Sequence, residues 1–336
     1  MILIDALYIN RSGSKLLLDL LINELEMNGA DAFYLLDERT ADTYTGIPAN
    51  RKCFLKAGLI TRATFYFKRS AEFSFIFCFG GVPPVKNSSR ELWCYFHNAA
   101  LMDVKDLDPK GRIARWAKLM YMRIFNYNTD KWIVQTDNVR ATIKRLFNIK
   151  KEEVWVRPFF RNYPLLPEKK LSRNAFLYVS DAYPHKNHER LFKAFEKINS
   201  GNKNIVLYTT IDEQKEEYIA LVKKYQQNGV NIINLGFTTD IDIVALYKKA
   251  DCIIFPSTAE SLGLGLIEAA QMGLPVIASD LPFVHAVIEP SHMFDAFSID
   301  SIINAVESFI NEDITKAPVI KITNHLNWLA KEIAGK

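Results

Sequence analysis

Cysteine is scarce and scattered in this 336-residue chain: Cys53, Cys78, Cys94 and Cys252, with no CxxC pair among them. That spacing excludes a disulfide framework and a structural zinc site, and fits buried thiols in a reducing compartment. No run approaches the roughly 18 consecutive apolar residues of a membrane span. The opening MILIDALYIN places Asp5 inside its apolar run and has no basic residue ahead of it. It therefore predicts a first strand, not a signal peptide, and the chain is expected to stay in the cytoplasm. Internal repeats and low-complexity stretches are also missing. Hydrophobic residues at 49% and charged residues at 24% are ordinary for a globular protein, and exclude disorder and coiled coil. At about 150 residues per domain, the length predicts two domains.

Acidic residues are absent from two stretches, Arg51 to Arg69 and Lys110 to Arg123. The first holds Arg51, Lys52, Lys56, Arg62, Lys68 and Arg69; the second holds Lys110, Arg112, Arg115, Lys118 and Arg123. Both are interleaved with aromatic and aliphatic residues, as on a surface that lies against anionic lipid headgroups. A solvated helix face fits the same composition. A pI near 8.7 spread over the whole chain is too dilute for a dedicated nucleic-acid binder.

Short apolar runs alternate with helix-periodic segments from end to end. Ile2–Ala6, Ala32–Leu36, Phe176–Ser180, Cys252–Phe255 and Pro275–Ala278 read as buried strands; Lys15–Asn28, Gly111–Asn126, His188–Ile198, Leu264–Met272 and Ile299–Ile310 read as helices. This alternation predicts parallel sheets buried on both faces, hence an α/β architecture. Pro158, Pro164 and Pro167 interrupt regular structure between Arg157 and Ser172, and mark a boundary. The expected organisation is residues 1–158, a linker at 159–169, and residues 170–320. A C-terminal helix at 322–336 is expected to cross back to the first domain.

The most informative stretch is Phe255–Asp280, FPSTAESLGLGLIEAAQMGLPVIASD. A buried strand leads into a polar turn with Glu260, a loop with Gly263 and Gly265, and a helix carrying Glu268. Free amides at a helix N-terminus bind anions, so Ser261, Leu262 and Gly263 are placed to meet a diphosphate. Glu268 can accept from two adjacent hydroxyls, as on a ribose, while Glu260 is free to face another part of the ligand. A plain strand–loop–helix with a capping Glu260 and a solvated Glu268 fits the spacing equally. Asp240 and Asp242 have metal-binding spacing but sit where acids cap a helix, and His185, His188, His285, His292 and His325 form no ligand set, so no metal is expected.

Glu260 and Glu268 with the intervening SLGLGLI resemble the E-x7-E signature of retaining glycosyltransferases of the GT4 group. That resemblance implies the GT-B fold: two Rossmann-like doubly wound parallel-sheet domains facing a central cleft. It implies that Glu260 contacts the transferring sugar and Glu268 holds the ribose. Phe176–His188, FLYVSDAYPHKNH, resembles the turn that opens the family's donor domain, where an arginine and a lysine five positions later neutralise the diphosphate. Lys186 matches the lysine, but Asp181 stands where the arginine is expected, which is unfavourable beside a diphosphate unless another cation intervenes. INRSGSK (Ile9–Lys15) resembles the family's glycine loop, with Gly13 and Ser14 offering amides to the donor. In WCYFHNAALM (Trp93–Met102), His97 resembles the histidine that touches the donor sugar or orients the acceptor.

Together these imply a retaining, metal-independent glycosyltransferase acting in surface polysaccharide (capsule or lipopolysaccharide) synthesis. It would use a UDP- or GDP-type nucleotide sugar and a glycan or lipid-linked glycan acceptor. Its expected place is cytoplasmic, peripheral on the inner face of the plasma membrane, with the two basic stretches as the contact. The Asp181 departure keeps a non-catalytic sugar-nucleotide-binding scaffold open, and a GT-B epimerase or hydrolase is the other alternative.

Overall fold

The computed structural model describes residues 1–87, 89, 91–97, 109–147, 149, 153–167, 172–201, 204–237, 243–311, 314 and 316–336. The chain divides into two compact units, one of Met1–Arg161 with Thr323–Lys336 and one of Asn162–Ile322. In chain order the first unit contains β1 (Ile2–Ala6), α1 (Ser12–Met27), β2 (Ala32–Asp37), β3 (Lys52–Leu55), α2 (Leu59–Arg69) and β4 (Phe75–Cys78). It continues with β5 (Glu91–Phe96), α3 (Pro109–Phe125), β6 (Lys131–Val134), α4 (Asp137–Phe147) and β7 (Val154–Val156). All its strands are parallel, in the order β3-β2-β1-β4-β5-β6-β7. The central strands are buried from end to end because helices cover both faces, which is why they read as unbroken apolar runs.

Asp5 interrupts one of those runs and is almost wholly buried. Its carboxylate accepts from Arg62 Nε at 2.8 Å and from the Tyr66 hydroxyl at 2.6 Å, while Arg62 Nη2 donates to the Val82 carbonyl at 2.8 Å. Arg62, Phe65 and Tyr66 are therefore the inward face of α2, at i, i+3 and i+4. This corrects the reading of Arg51–Arg69 as one lipid-facing surface. The segment is a strand and a helix, Arg62 lies in the core, and Arg51 and Arg69 pair with Glu26 and Glu72.

The second unit runs β8 (Ala175–Tyr178), α5 (His188–Gly201), β9 (Val206–Thr209), α6 (Glu216–Gln227), β10 (Ile232–Asn234), α7 (Ile243–Lys249), β11 (Cys252–Phe255) and α8 (Leu264–Gln271). Next come β12 (Val276–Ser279), α9 (Pro282–Val287), β13 (Ile288–Glu289), β14 (His292–Phe294), α10 (Ile299–Ile310) and β15 (Val319–Ile320). Its main sheet is parallel in the order β10-β9-β8-β11-β12-β14. The strand order reverses between β8 and β11, which are parallel neighbours, and in a doubly wound sheet ligands bind outside the carboxyl ends of the strands at such a switch point.

The segment read as a linker is divided. Tyr163 N donates to Gln271 Oε1 at 3.1 Å and Leu166 N to the Met272 carbonyl at 3.2 Å, so the chain from Asn162 packs on the second unit. The final helix, α11 (Leu326–Ala334), belongs to the first unit. It buries Leu329, Ala330 and Ile333, and Asn324 Nδ2 donates to the Phe160 carbonyl at 2.7 Å. No helix among the described residues is long and apolar enough to cross a membrane.

Candidate functional site

Two loops meet at the switch point of the second unit, one after β8 and one after β11. They are stitched together by backbone: Thr258 N donates to the His185 carbonyl at 2.7 Å. Asn187 sits in the left-handed region at φ 62°, which asparagine tolerates better than most residues. Its Nδ2 donates to the carbonyls of Pro256 (3.1 Å) and Ala296 (2.8 Å), fixing the first loop against the second. Beneath them the buried Tyr178 hydroxyl donates to the Lys186 carbonyl at 3.0 Å and shares a hydrogen bond with Ser257 Oγ at 2.8 Å. Burial, and then the charge of Glu260, push the Tyr178 phenol well above its ordinary range, so it stays a donor.

This scaffold brings Lys186 and Glu260 together across 74 residues of sequence: Lys186 Nζ donates to Glu260 Oε1 at 2.5 Å. The two side chains retain 16% and 10% exposure, sheltered enough for the pair to be felt and open enough to meet a ligand. Glu268 lies within the first turns of α8 and is 8% exposed. Tyr247 on α7 donates its hydroxyl to Glu268 Oε2 at 2.8 Å. The Tyr247 phenol is raised by burial first and by the Glu268 charge second, so it too remains protonated.

Gly263, the N-cap of α8, has φ 74°, a conformation that a side chain would strain. A Cβ on Gly265 would come within 3.3 Å of the Phe255 ring and 3.7 Å of the Val179 carbonyl, so glycine lets the helix N-terminus sit close to the strand ends. The amides of Ser261, Leu262 and Gly263 lie in the approach to that terminus, and the Leu262 side chain is buried beneath it.

Asp181 has a local role: its Oδ1 accepts from the Ala182 amide at 2.8 Å. Lys215 Nζ lies 4.1 Å from the ring centroid of Tyr183 in this turn, and Tyr183 stacks on His185 at 5.8 Å. Arg190 is engaged by Asn187 Oδ1 at 2.5 Å.

In the first unit Gly13 and Ser14 are not in an open loop: they belong to the first turn of α1, which begins at Ser12. Their amides have no acceptor within the helix, as for any first turn. His97 follows β5 at the carboxyl edge of the same sheet, against the rings of Phe79 (5.3 Å) and Tyr95 (5.4 Å). Burial, and then the charge of Lys118, lower its imidazole to about 4, so it is neutral at physiological pH. Asn98–Met102, and the Asp240 and Asp242 pair, lie outside the described residues.

Tyr178, Asn187, Tyr247 and Ser257 were not singled out from sequence. Their partners are local only after folding, although Tyr247 stands out as a buried hydroxyl on a helix with otherwise aliphatic inward positions, Ile243 and Leu246.

The geometry coincides with a family match: residues 165–324 fit the model of "Glycosyl transferases group 1". That stretch takes in most of the second unit, which is therefore similar to a group 1 glycosyl transferase domain. The chain is 30% identical over 159 residues to the serotype-specific mannosyltransferase WbdA of Escherichia coli, covering 46% of this chain and 19% of that one. It is 28% identical over 151 residues to the O-antigen chain mannosyltransferase RfbU of Salmonella typhimurium, covering 45% of this chain and 42% of that one. The chain thus spans less than half the length of these two relatives. Sucrose-phosphate synthase from Thermosynechococcus elongatus superposes with a TM-score of 0.72 at 17% identity, over 99% of this chain and 94% of that one. That likeness shows the fold: the two Rossmann-like units are those of a GT-B protein.

Proposed function

We propose that this protein is a glycosyltransferase of surface polysaccharide synthesis that moves a sugar from a nucleoside-diphosphate sugar to a glycan or lipid-linked glycan. The observation that carries the reading is the Lys186–Glu260 pair at the switch point, with Glu268 held by Tyr247 on the adjoining helix. In this reading the donor, of UDP or GDP type, binds the second unit. Its diphosphate meets Lys186 and the amides of Ser261 to Gly263, with Lys215 a further cation at the Asp181 turn, over the Tyr183 ring. Glu268 accepts from the ribose hydroxyls and Glu260 from a hydroxyl of the transferring sugar. The acceptor binds the first unit, where neutral His97 touches the donor sugar or orients the acceptor hydroxyl, and the amides of Gly13 and Ser14 face the donor.

The reaction is retaining and metal-independent. The acceptor hydroxyl attacks the anomeric carbon on the face from which the diphosphate departs, and its proton passes to the departing phosphate oxygen. The ammonium of Lys186 and the amides at the N-terminus of α8 stabilise the charge that develops there. The protein works in the cytoplasm, at the inner face of the membrane that holds a lipid-linked acceptor. The test is release of nucleoside diphosphate from a panel of nucleotide sugars, with and without lipid-linked glycans extracted from the source cells. Acceptor-dependent release supports transfer. Equal release without acceptor would make the protein a hydrolase, and donor binding without release would make it a scaffold.

A further inference from the structure

We infer that the outward face of α3 is the surface by which this protein docks on an anionic membrane, an inference that rests on the proposed lipid-linked acceptor. Helix α3 carries apolar residues on its outward side as well as its inward one, unlike an ordinary surface helix. Its inward side is anchored by buried Met122, with Leu119 and Tyr121 packed against the core cluster under the sheet. Its outward side is apolar: Ile113 is 67% exposed, Trp116 63% and Ile124 58%, and Tyr127 in the following turn is 75% exposed. Positions 113, 116, 117 and 124 fall on one stripe at helical spacing. Arg112 and Arg123 are exposed beside it, and the helix sequence PKGRIARWAKLMYMRIF contains no acid.

A contiguous apolar stripe on a surface marks an interaction site. Its flanking cations choose the occupant. A second copy of this helix would bring arginines against arginines with no carboxylate between them. An anionic bilayer offers acyl chains to Ile113, Trp116 and Ile124 and phosphates to Arg112 and Arg123. The other basic stretch lacks that complement, because its three arginines are held by Glu26, Asp5 and Glu72. It leaves Leu59, Ile60 and Phe67 exposed beside lysines alone: Lys56, Lys68 and Lys86, whose Nζ lies 5.4 Å from the Phe67 ring centroid.

The experiment is co-sedimentation with vesicles of equimolar phosphatidylglycerol and phosphatidylcholine, against vesicles of phosphatidylcholine alone. The wild-type chain is expected to partition to the anionic vesicles. The exposed-site variant Ile113→Ser/Trp116→Ser/Ile124→Ser should lose more than about a hundredfold in partitioning, and Arg112→Ser or Arg123→Ser about fivefold each. Ile60→Ser/Phe67→Ser on α2 should change it by less than about twofold. Unchanged melting of each variant shows that the fold is intact. Wild-type binding with an unaffected α3 variant, or loss only in the α2 variant, would overturn this assignment while leaving the membrane reading standing. Absence of wild-type binding to either vesicle would overturn both. A wild-type dimer that the α3 variant converts to monomer would make the stripe a self-interface and overturn the proposal.

Discussion

Replacing Lys186 by alanine separates the two functions that the geometry gives this side chain. In the free protein its ammonium is 2.5 Å from Glu260 Oε1. In the donor complex the same ammonium is proposed to meet the diphosphate. A hydrogen bond to a charged group contributes about 1.5–3 kcal/mol, so Lys186→Ala should weaken nucleoside-diphosphate binding about 10- to 150-fold. The corresponding nucleoside lacks the group that lysine meets and should bind the variant and the wild type within about threefold, since no charged contact is lost. Isothermal titration with both ligands reads the difference directly. Equal loss for diphosphate and nucleoside would mean that Lys186 only holds the loop through Glu260, and would refute its assignment as a phosphate ligand. Lys186→Arg keeps the charge and should recover part of the diphosphate-specific affinity.

Four further outcomes follow from the same geometry. Glu260→Ala should reduce transfer about a hundredfold while changing donor affinity only a few-fold, if the carboxylate acts on the transferring sugar; equal losses in kcat and donor affinity would point to a purely structural glutamate. Glu268→Ala should weaken donor binding roughly tenfold or more, because two hydroxyl contacts disappear, and unchanged affinity would remove its ribose role. Arg62→Met strands the buried Asp5 carboxylate and should cost about 3–5 kcal/mol of stability, whereas Asp5→Leu/Arg62→Met should recover most of it; calorimetry of both variants decides whether the pair is needed as a pair. His188 is buried, with Nε2 3.2 Å from Ser180 Oγ, and its imidazole is lowered to about 3 by burial, then by the charges of Lys186 and His185. The unfolded chain then binds the extra proton below about pH 6.5, so stability falls on acidification, by about 2 kcal/mol between pH 7 and pH 5. Buried His97, lowered to about 4, adds a similar loss, so denaturation at the two pH values should show both contributions and His188→Asn should remove about half of the slope.

Much of the framework is legible in the sequence because parallel strands covered on both faces are continuous apolar runs, as in β1, β11 and β12. Where the runs are interrupted, reading fails for identifiable reasons. Helix α2 is hidden because its inward face carries Arg62, whose partner Asp5 lies 57 residues away. The same long-range pairing puts Arg62, part of an apparent basic surface, into the core. Strand β3 escapes because none of its residues is fully buried, and β13 and β15 because each has two residues.

The candidate site divides along similar lines. Glu260, Gly263 and Glu268 lie on one short segment whose strand–loop–helix form is local, so their spacing identifies them. Lys186 is suggested by the turn after β8, yet its contact with Glu260 depends on β8 and β11 being neighbours at the switch point. The hydroxyls of Tyr178 and Tyr247 act across elements distant in sequence, which no local pattern encodes. At the Asp181 turn the supply of positive charge involves Lys215, 34 positions on and across a strand, where a motif of adjacent residues has no reach.

The central claim, that the second unit binds a nucleoside-diphosphate sugar, is tested most directly by a thermal-shift panel of UDP, GDP, ADP and their common sugar conjugates. A ligand that binds only the folded state raises the apparent melting temperature by mass action. The account predicts a clear rise with one nucleotide family, greater for the sugar conjugate than for the nucleotide, and lost in Glu268→Ala. A folded protein that shows no rise with any member of the panel would contradict it.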